Sequence, residues 1–103
     1  MDNTINEIVK QYAERVNERY KPNAIYLYGS QVKGTTNEYS DIDIAVVFTS
    51  IDDDEYINVF SGLFSIAAKF EANIEPNLLI DDGEDDRFSF LAEVKETGQL
   101  IQV

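Results

Sequence analysis

Residues 41–48, DIDIAVVF, constrain this chain more than any other stretch. The first half alternates, with Asp41 and Asp43 on one side and Ile42 and Ile44 on the other, the period-two signature of a strand. The second half, Ala45-Val46-Val47-Phe48, is continuously apolar, as in a sheet covered on both faces. Layers must therefore lie above and below that strand, and the flanking sequence supplies helices to form them.

Ile5, Ile8, Val9, Tyr12, Ala13, Val16 and Tyr20 recur at helical spacing, which predicts an amphipathic helix over residues 4–20. Lys21-Pro22-Asn23 ends it, because proline blocks continuation. Residues 24–28, AIYLY, predict a short buried strand. The acidic residues 52–55 open a second long helix, where they suit the positive end of its dipole. Its apolar stripe is predicted as Tyr56, Val59, Phe60, Leu63, Phe64, Ala67 and Phe70. Residues 73–80 predict a third strand, and Pro76 within it marks an edge or a bulge. Residues 81–86 read as an acidic loop or helix start. Phe88, Phe90, Leu91 and Val94 then cover the sheet from a final helix that Gly98 ends. The order helix, strand, strand, helix, strand, helix points to an α/β or α+β domain with helices packed on a small sheet. A chain of 103 residues, 44% apolar, fits one compact domain over residues 1–103.

Composition narrows the chemistry. The chain has no cysteine and no histidine, so disulfides, thiolate or imidazole zinc sites and Ser-His or Cys-His nucleophile pairs are excluded. Carboxylates, hydroxyls, lysines, backbone amides and bound metal remain. A formal net charge of −12 repels nucleic-acid phosphates and favours a basic protein partner, or a substrate brought in with metal. No apolar run approaches the roughly 20 residues that cross a bilayer. The start, Met1-Asp2-Asn3-Thr4, lacks the basic and apolar regions of a signal peptide, so the expected location is cytoplasmic.

Two short patterns carry chemistry. Asp41 and Asp43 leave the same face of their strand, so their oxygens can share a magnesium ion or bridge two. Alone, that pair is better explained by a solvated face of an edge strand. Gly29-Ser30 closes the first strand with a turn whose free amides can bind an anion, although a tight turn with a serine cap has the same appearance. The combination is more specific than either part. Strand, Gly-Ser, a turn containing Lys33 and Gly34, residues 31–40 as spacer, then Ser40-Asp41-Ile42-Asp43 sets an anion cradle beside a metal site at one sheet edge.

At these residues the chain resembles a known family. GSQVKGTTNEYSDID, preceded by AIYLY and followed by IAVVF, is similar to the nucleotidyltransferase superfamily that includes DNA polymerase β. The spacing looks most like the minimal nucleotidyltransferases, short antitoxins paired with HEPN-domain ribonuclease toxins. The resemblance implies a nucleotidyltransferase fold, a small mixed sheet flanked by helices. It implies ATP as substrate and two magnesium ions held by Asp41, Asp43 and a third carboxylate on a later strand, a place that Glu75 occupies. Asp81 and Asp82 are weaker candidates for that third position. Gly29, Ser30, Lys33 and Ser40 would hold the nucleotide, and Glu75 would assist deprotonation of the acceptor. Gln31 stands where relatives often carry arginine. The implied reaction moves AMP from ATP to a tyrosine of the HEPN toxin, in a hetero-oligomer and without direct nucleic-acid or membrane binding. Two other readings fit the same residues. One is a catalytically inactive antitoxin that binds its partner, which would not need the carboxylate set. The other is transfer to a small molecule such as an antibiotic, with a partner subunit completing the pocket.

Overall fold

The structure, a computed structural model, describes residues 3–29, 41–83 and 89–103. Helix α1 (Asn3–Tyr20) leads into β1 (Ala24–Tyr28) and β2 (Ile42–Phe48). Helix α2 (Asp53–Ala67), β3 (Ile74–Ile80), α3 (Phe90–Thr97) and β4 (Gln99–Leu100) follow. The four strands form one sheet in the order β3-β2-β1-β4. β1 is antiparallel to both β2 and β4, while β2 and β3 are parallel, so the sheet is mixed. A parallel pair needs a long crossover, and α2 provides it.

The central position of β2 explains its composition. Ile42, Ile44, Val46 and Phe48 point to one face and pack in a single cluster with Ile25 and Leu27 of β1, Ile74 and Leu78 of β3, and both α1 and α2. Ala45 and Val47 point to the other face and are also buried. Buried Val94 of α3 lies on that side, and Phe90 meets Tyr28 edge-on with ring centroids 5.3 Å apart. The continuously apolar half of β2 is thus covered twice, as its sequence requires.

Tyr12 of α1 is fully buried, and burial pushes its hydroxyl pKa far up. That hydroxyl donates to the Leu63 carbonyl of α2 at 3.0 Å, which satisfies a polar group that would otherwise be costly inside the core. The end of α1 involves more than Pro22. Lys21 adopts a left-handed conformation, φ 51°, with its N–H still bonded to the Asn17 carbonyl. Among the described residues no helix is long and apolar enough to cross a membrane.

The predicted buried strand is β1, in which Ile25 and Leu27 are fully covered and the residues between them are half-buried. The stripe of α2 is rotated: its fully buried positions are Gly62, Leu63, Ile66 and Ala67, whereas Tyr56, Phe60 and Phe64 are exposed. Gly62 lies in the buried set because α1 crosses there, where the Tyr20 hydroxyl occupies the space a Cβ would need. Gly98 ends α3 as the sequence predicts, in extended geometry with φ −80°. A Cβ there would come within 2.5 Å of the Val94 carbonyl oxygen, so Gly98 answers a steric demand. Strand β4 was not anticipated; two polar-apolar residues carry no strand signal of their own, and pairing with β1 forms it. Pro76 does lie on an edge strand, β3, and it is buried against the helical face.

Candidate active site

Three strands converge where β1 ends and β2 and β3 begin. The register places Tyr28 opposite Asp43, and Asp43 beside Glu75. These residues share one face, because paired positions in adjacent strands point the same way. Residues two positions along share it too, so Asp41 and Asn73 extend the row outward and Asn77 extends it inward.

Side-chain bonds tie the row together. Asn73 Nδ2 donates to Asp41 Oδ1 at 2.6 Å, fixing a carboxylate that stands one residue ahead of its strand. Asn77 Nδ2 donates to the Tyr28 hydroxyl, across the small Ala45 that lies in register with Asn77. Glu75, between the two asparagines on β3, faces both aspartates.

Electrostatics follow from that crowding. The Asp43 carboxyl is raised above the usual range, first by partial burial and then by the charge of Asp41. Glu75, exposed, is also raised, first by the charge of Asp41, with smaller contributions from desolvation, from Asp43 and from a hydrogen bond to Asp41. A bond between two carboxyl groups requires a proton on one of them. Burial and then Asp43 push the Tyr28 hydroxyl up as well. Among the described residues, none of the three carboxylates has a Lys or Arg ion pair.

The donor set fits a hard divalent cation: oxygen ligands, no sulfur or imidazole, and mutual repulsion that a cation would relieve. Among the described residues no three such side chains already form a cage. Magnesium does not ask for one, since it commonly takes one or two protein carboxylates and completes its shell with substrate phosphates and water.

Gly29 closes the site from the β1 side. Its φ is +79°, a conformation that costs glycine little. A Cβ built there would stand 2.6 Å from Asp43 Oδ2, so the glycine makes room for the Asp43 carboxylate itself. Beyond it lies a recess of about 210 Å³ lined by Tyr28, Gly29, Phe90, Glu93, Val94 and Thr97.

Of the residues singled out from sequence, Gly29, Asp41, Asp43 and Glu75 are thus brought together. Ser30, Gln31, Lys33 and Ser40 lie outside the described residues. Asp81 is set apart: it follows the far end of β3, with its amide bonded to the Phe48 carbonyl and its carboxylate paired with Lys95. Asp82 is its exposed neighbour at the same end. Six residues of strand put Asp81 roughly 20 Å from Glu75, which removes both as a third site carboxylate. Sequence reasoning missed Tyr28, Asn73 and Asn77. The signal was present across Asn73 and the start of β3, where polar Asn73, Glu75 and Asn77 alternate with apolar Ile74, Pro76 and Leu78.

The chain as a whole is similar to known proteins. The family described as Polymerase beta, Nucleotidyltransferase matches residues 3–102. A Methanocaldococcus jannaschii protein inferred to be a protein adenylyltransferase is 38% identical over 56 residues, 54% of this chain. That match spans 63% of the relative, under two thirds of its length. A solved structure from Sulfolobus solfataricus, inferred to be a nucleotidyltransferase, is 22% identical with a TM-score of 0.56, covering 92% of this chain and 75% of that one. A toxin–antitoxin solved with AMP-PNP is likewise 22% identical with a TM-score of 0.56, covering 90% of this chain and 72% of that one. At that identity the two structures speak for the fold.

Proposed function

Because the chain belongs to the polymerase beta nucleotidyltransferase family, we propose that it transfers AMP from ATP to a tyrosine hydroxyl of a HEPN-type ribonuclease toxin and so acts as that toxin's antitoxin. One observation carries the reading: Asp41, Asp43 and Glu75, from two strands, crowd one sheet face beside Gly29 with no cation of the described chain to balance them. Sequence similarity to a relative inferred to be a protein adenylyltransferase and a fold shared with a toxin–antitoxin complex support the acceptor class.

In the proposed reaction the acceptor oxygen bonds to the α-phosphorus, the bond from that phosphorus to the bridging oxygen breaks, and pyrophosphate leaves in line. The acceptor proton passes to a Glu75 carboxylate oxygen, whose proton affinity Asp41 and Asp43 already raise. Asp41, Asp43 and Glu75 would hold magnesium, which when bound neutralises the triphosphate and lowers the acceptor hydroxyl's pKa. Asn73 keeps Asp41 in place for that task. Gly29 lets Asp43 stand close to the turn. Ser30, Lys33 and Ser40 are assigned to the phosphates on the motif alone.

The test is intact-mass spectrometry of the HEPN-type protein encoded beside this chain, incubated with the chain, magnesium and ATP. A gain of one or more AMP units, absent with Asp41→Asn/Asp43→Asn, is expected. An unchanged mass in a complex that still forms would replace the transfer reading with neutralisation by contact.

A further inference from the structure

Helix α2 turns an apolar face outward. Tyr56 is 37% exposed, Phe60 38%, Phe64 43% and Ile57 67%. The three rings run as a ladder one turn apart. Tyr56 and Phe60 stack with centroids 6.5 Å apart and planes 9° from parallel, and Phe60 meets Phe64 edge-on at 5.1 Å. Residues 56–68 contain no charged side chain, in a chain that is 27% charged. The first turn just before them, residues 52–55, is wholly acidic.

The pattern is that of an interface core with a charged rim: aromatic, stripped of charge at its centre, polar at its border. Side chains of this size carry on the order of 200 Å² each when fully bare, so the four expose on the order of 350 Å². That is the core of a standard interface, which buries about 800 Å² per partner once its rim is included. The face is also separate from the chemistry. α2 packs on the sheet face of Ile42, Ile44 and Leu78, whereas Asp41, Asp43 and Glu75 stand on the other.

Charge decides among possible occupants. A second copy would bring two acidic runs to one interface between chains of net charge −12, and an anionic lipid surface would meet the same repulsion. We propose that the outer face of α2 docks a partner protein through an apolar helix or ridge flanked by Lys and Arg. The apolar part covers Tyr56, Phe60 and Phe64, and the basic flank meets residues 52–55. This rests on the reading that the chain acts on a partner protein, but it does not depend on nucleotidyl transfer.

The probe is a synthetic amphipathic helix with a leucine face and lysine flanks, titrated into the isotopically labelled full chain and followed by NMR. Amide shifts should centre on residues 52–68, and binding should weaken as salt is raised. Phe60→Ser/Phe64→Ser should bind at least about tenfold more weakly, as for loss of interface anchors. The same peptide with glutamate for lysine should not bind. Both phenylalanines are substantially exposed, so circular dichroism should confirm that the double variant is folded; Phe60→Lys alone supplies the same test if it is not. Shifts centred elsewhere, equal binding by the glutamate peptide or undiminished binding by the folded variant would overturn the proposal. So would a wild-type dimer, by light scattering, that Phe60→Lys dissociates, because the occupant would then be a second copy. Asp43→Asn should dock the peptide as wild type does. Docking without any AMP transfer would sink only the proposed reaction, and transfer without docking would sink only this surface.

Discussion

Replacing Gly29 by alanine tests the site where backbone and chemistry meet. Two costs add. At φ +79° an L-residue pays roughly 1–2 kcal/mol that glycine does not. The new Cβ would also lie 2.6 Å from Asp43 Oδ2, well inside contact distance, and the carboxylate must rotate away. An off-rotamer turn of that kind costs about 0.5–1.5 kcal/mol. The sum is about 1.5–3.5 kcal/mol, which in a domain of this size lowers Tm by on the order of 10 °C. Thermal unfolding in the absence of metal measures it. In an Asp43→Ala background the contact has gone, so Gly29→Ala should cost only the backbone part. Activity should fall further than stability, by on the order of 100-fold, since a displaced Asp43 no longer meets the reacting groups correctly. Equal costs of Gly29→Ala in the two backgrounds would refute the close approach to Asp43. An unchanged Tm in both would refute the left-handed turn.

Three other substitutions probe the same physics. Asp43→Asn should raise Tm without metal, because it removes one of the mutually repelling charges, and should abolish the further stabilisation that the proposed function expects of magnesium with ATP in wild type; differential scanning fluorimetry reads both. Gly62→Ala should destabilise by about 1 kcal/mol despite better helix propensity, because the Tyr20 ring must leave α2; with Tyr20→Ala beside it the sign should reverse to a gain of about 0.8 kcal/mol. The Lys95 ammonium lowers the Asp81 pKa, first through its hydrogen bond, so this carboxylate contributes stability above its unfolded pKa of about 3.9 and loses it as pH falls through the lower folded value. Acid titrations of wild type and Lys95→Gln should therefore converge at low pH; the pair lies at the surface, with Lys95 exposed and Asp81 half-buried, so the gap at neutral pH should be small.

Much of the site could be read from local pattern. Alternation along residues 41–44 places Asp41 and Asp43 on one face whatever the strand packs against, since successive side chains of any strand point oppositely. The apolar run that follows demanded two covering layers, and α1 with α2 on one side and α3 on the other provide them. Glu75 was reached by resemblance, although the alternation of Asn73, Glu75 and Asn77 already marked a polar face. The sequence pattern sets the outer ladder of α2 in one apolar stripe with residues that are buried, because Tyr56, Phe60 and Phe64 satisfy helical spacing as well as Leu63 and Ala67 do. An amphipathic pattern tells which residues share a stripe, but a stripe this wide can be covered only in part by the chain that carries it.

The chain order of strand, Gly-Ser turn and Asp-x-Asp strand, together with the faces of those strands, was determined by sequence alone. Both follow from geometry within a few bonds. Only the tertiary structure decided that β3 runs parallel to β2 in the register that sets Glu75 beside Asp43, that Asn73 reaches Asp41, and that Gly29 is needed for room beside a carboxylate. These relations join residues from about 14 to 32 positions apart. Their register is chosen by burying Ile74 and Leu78 under α2 with Ile42 and Val46, since a slip of one residue would send the apolar set to the carboxylate face and Glu75 into the core.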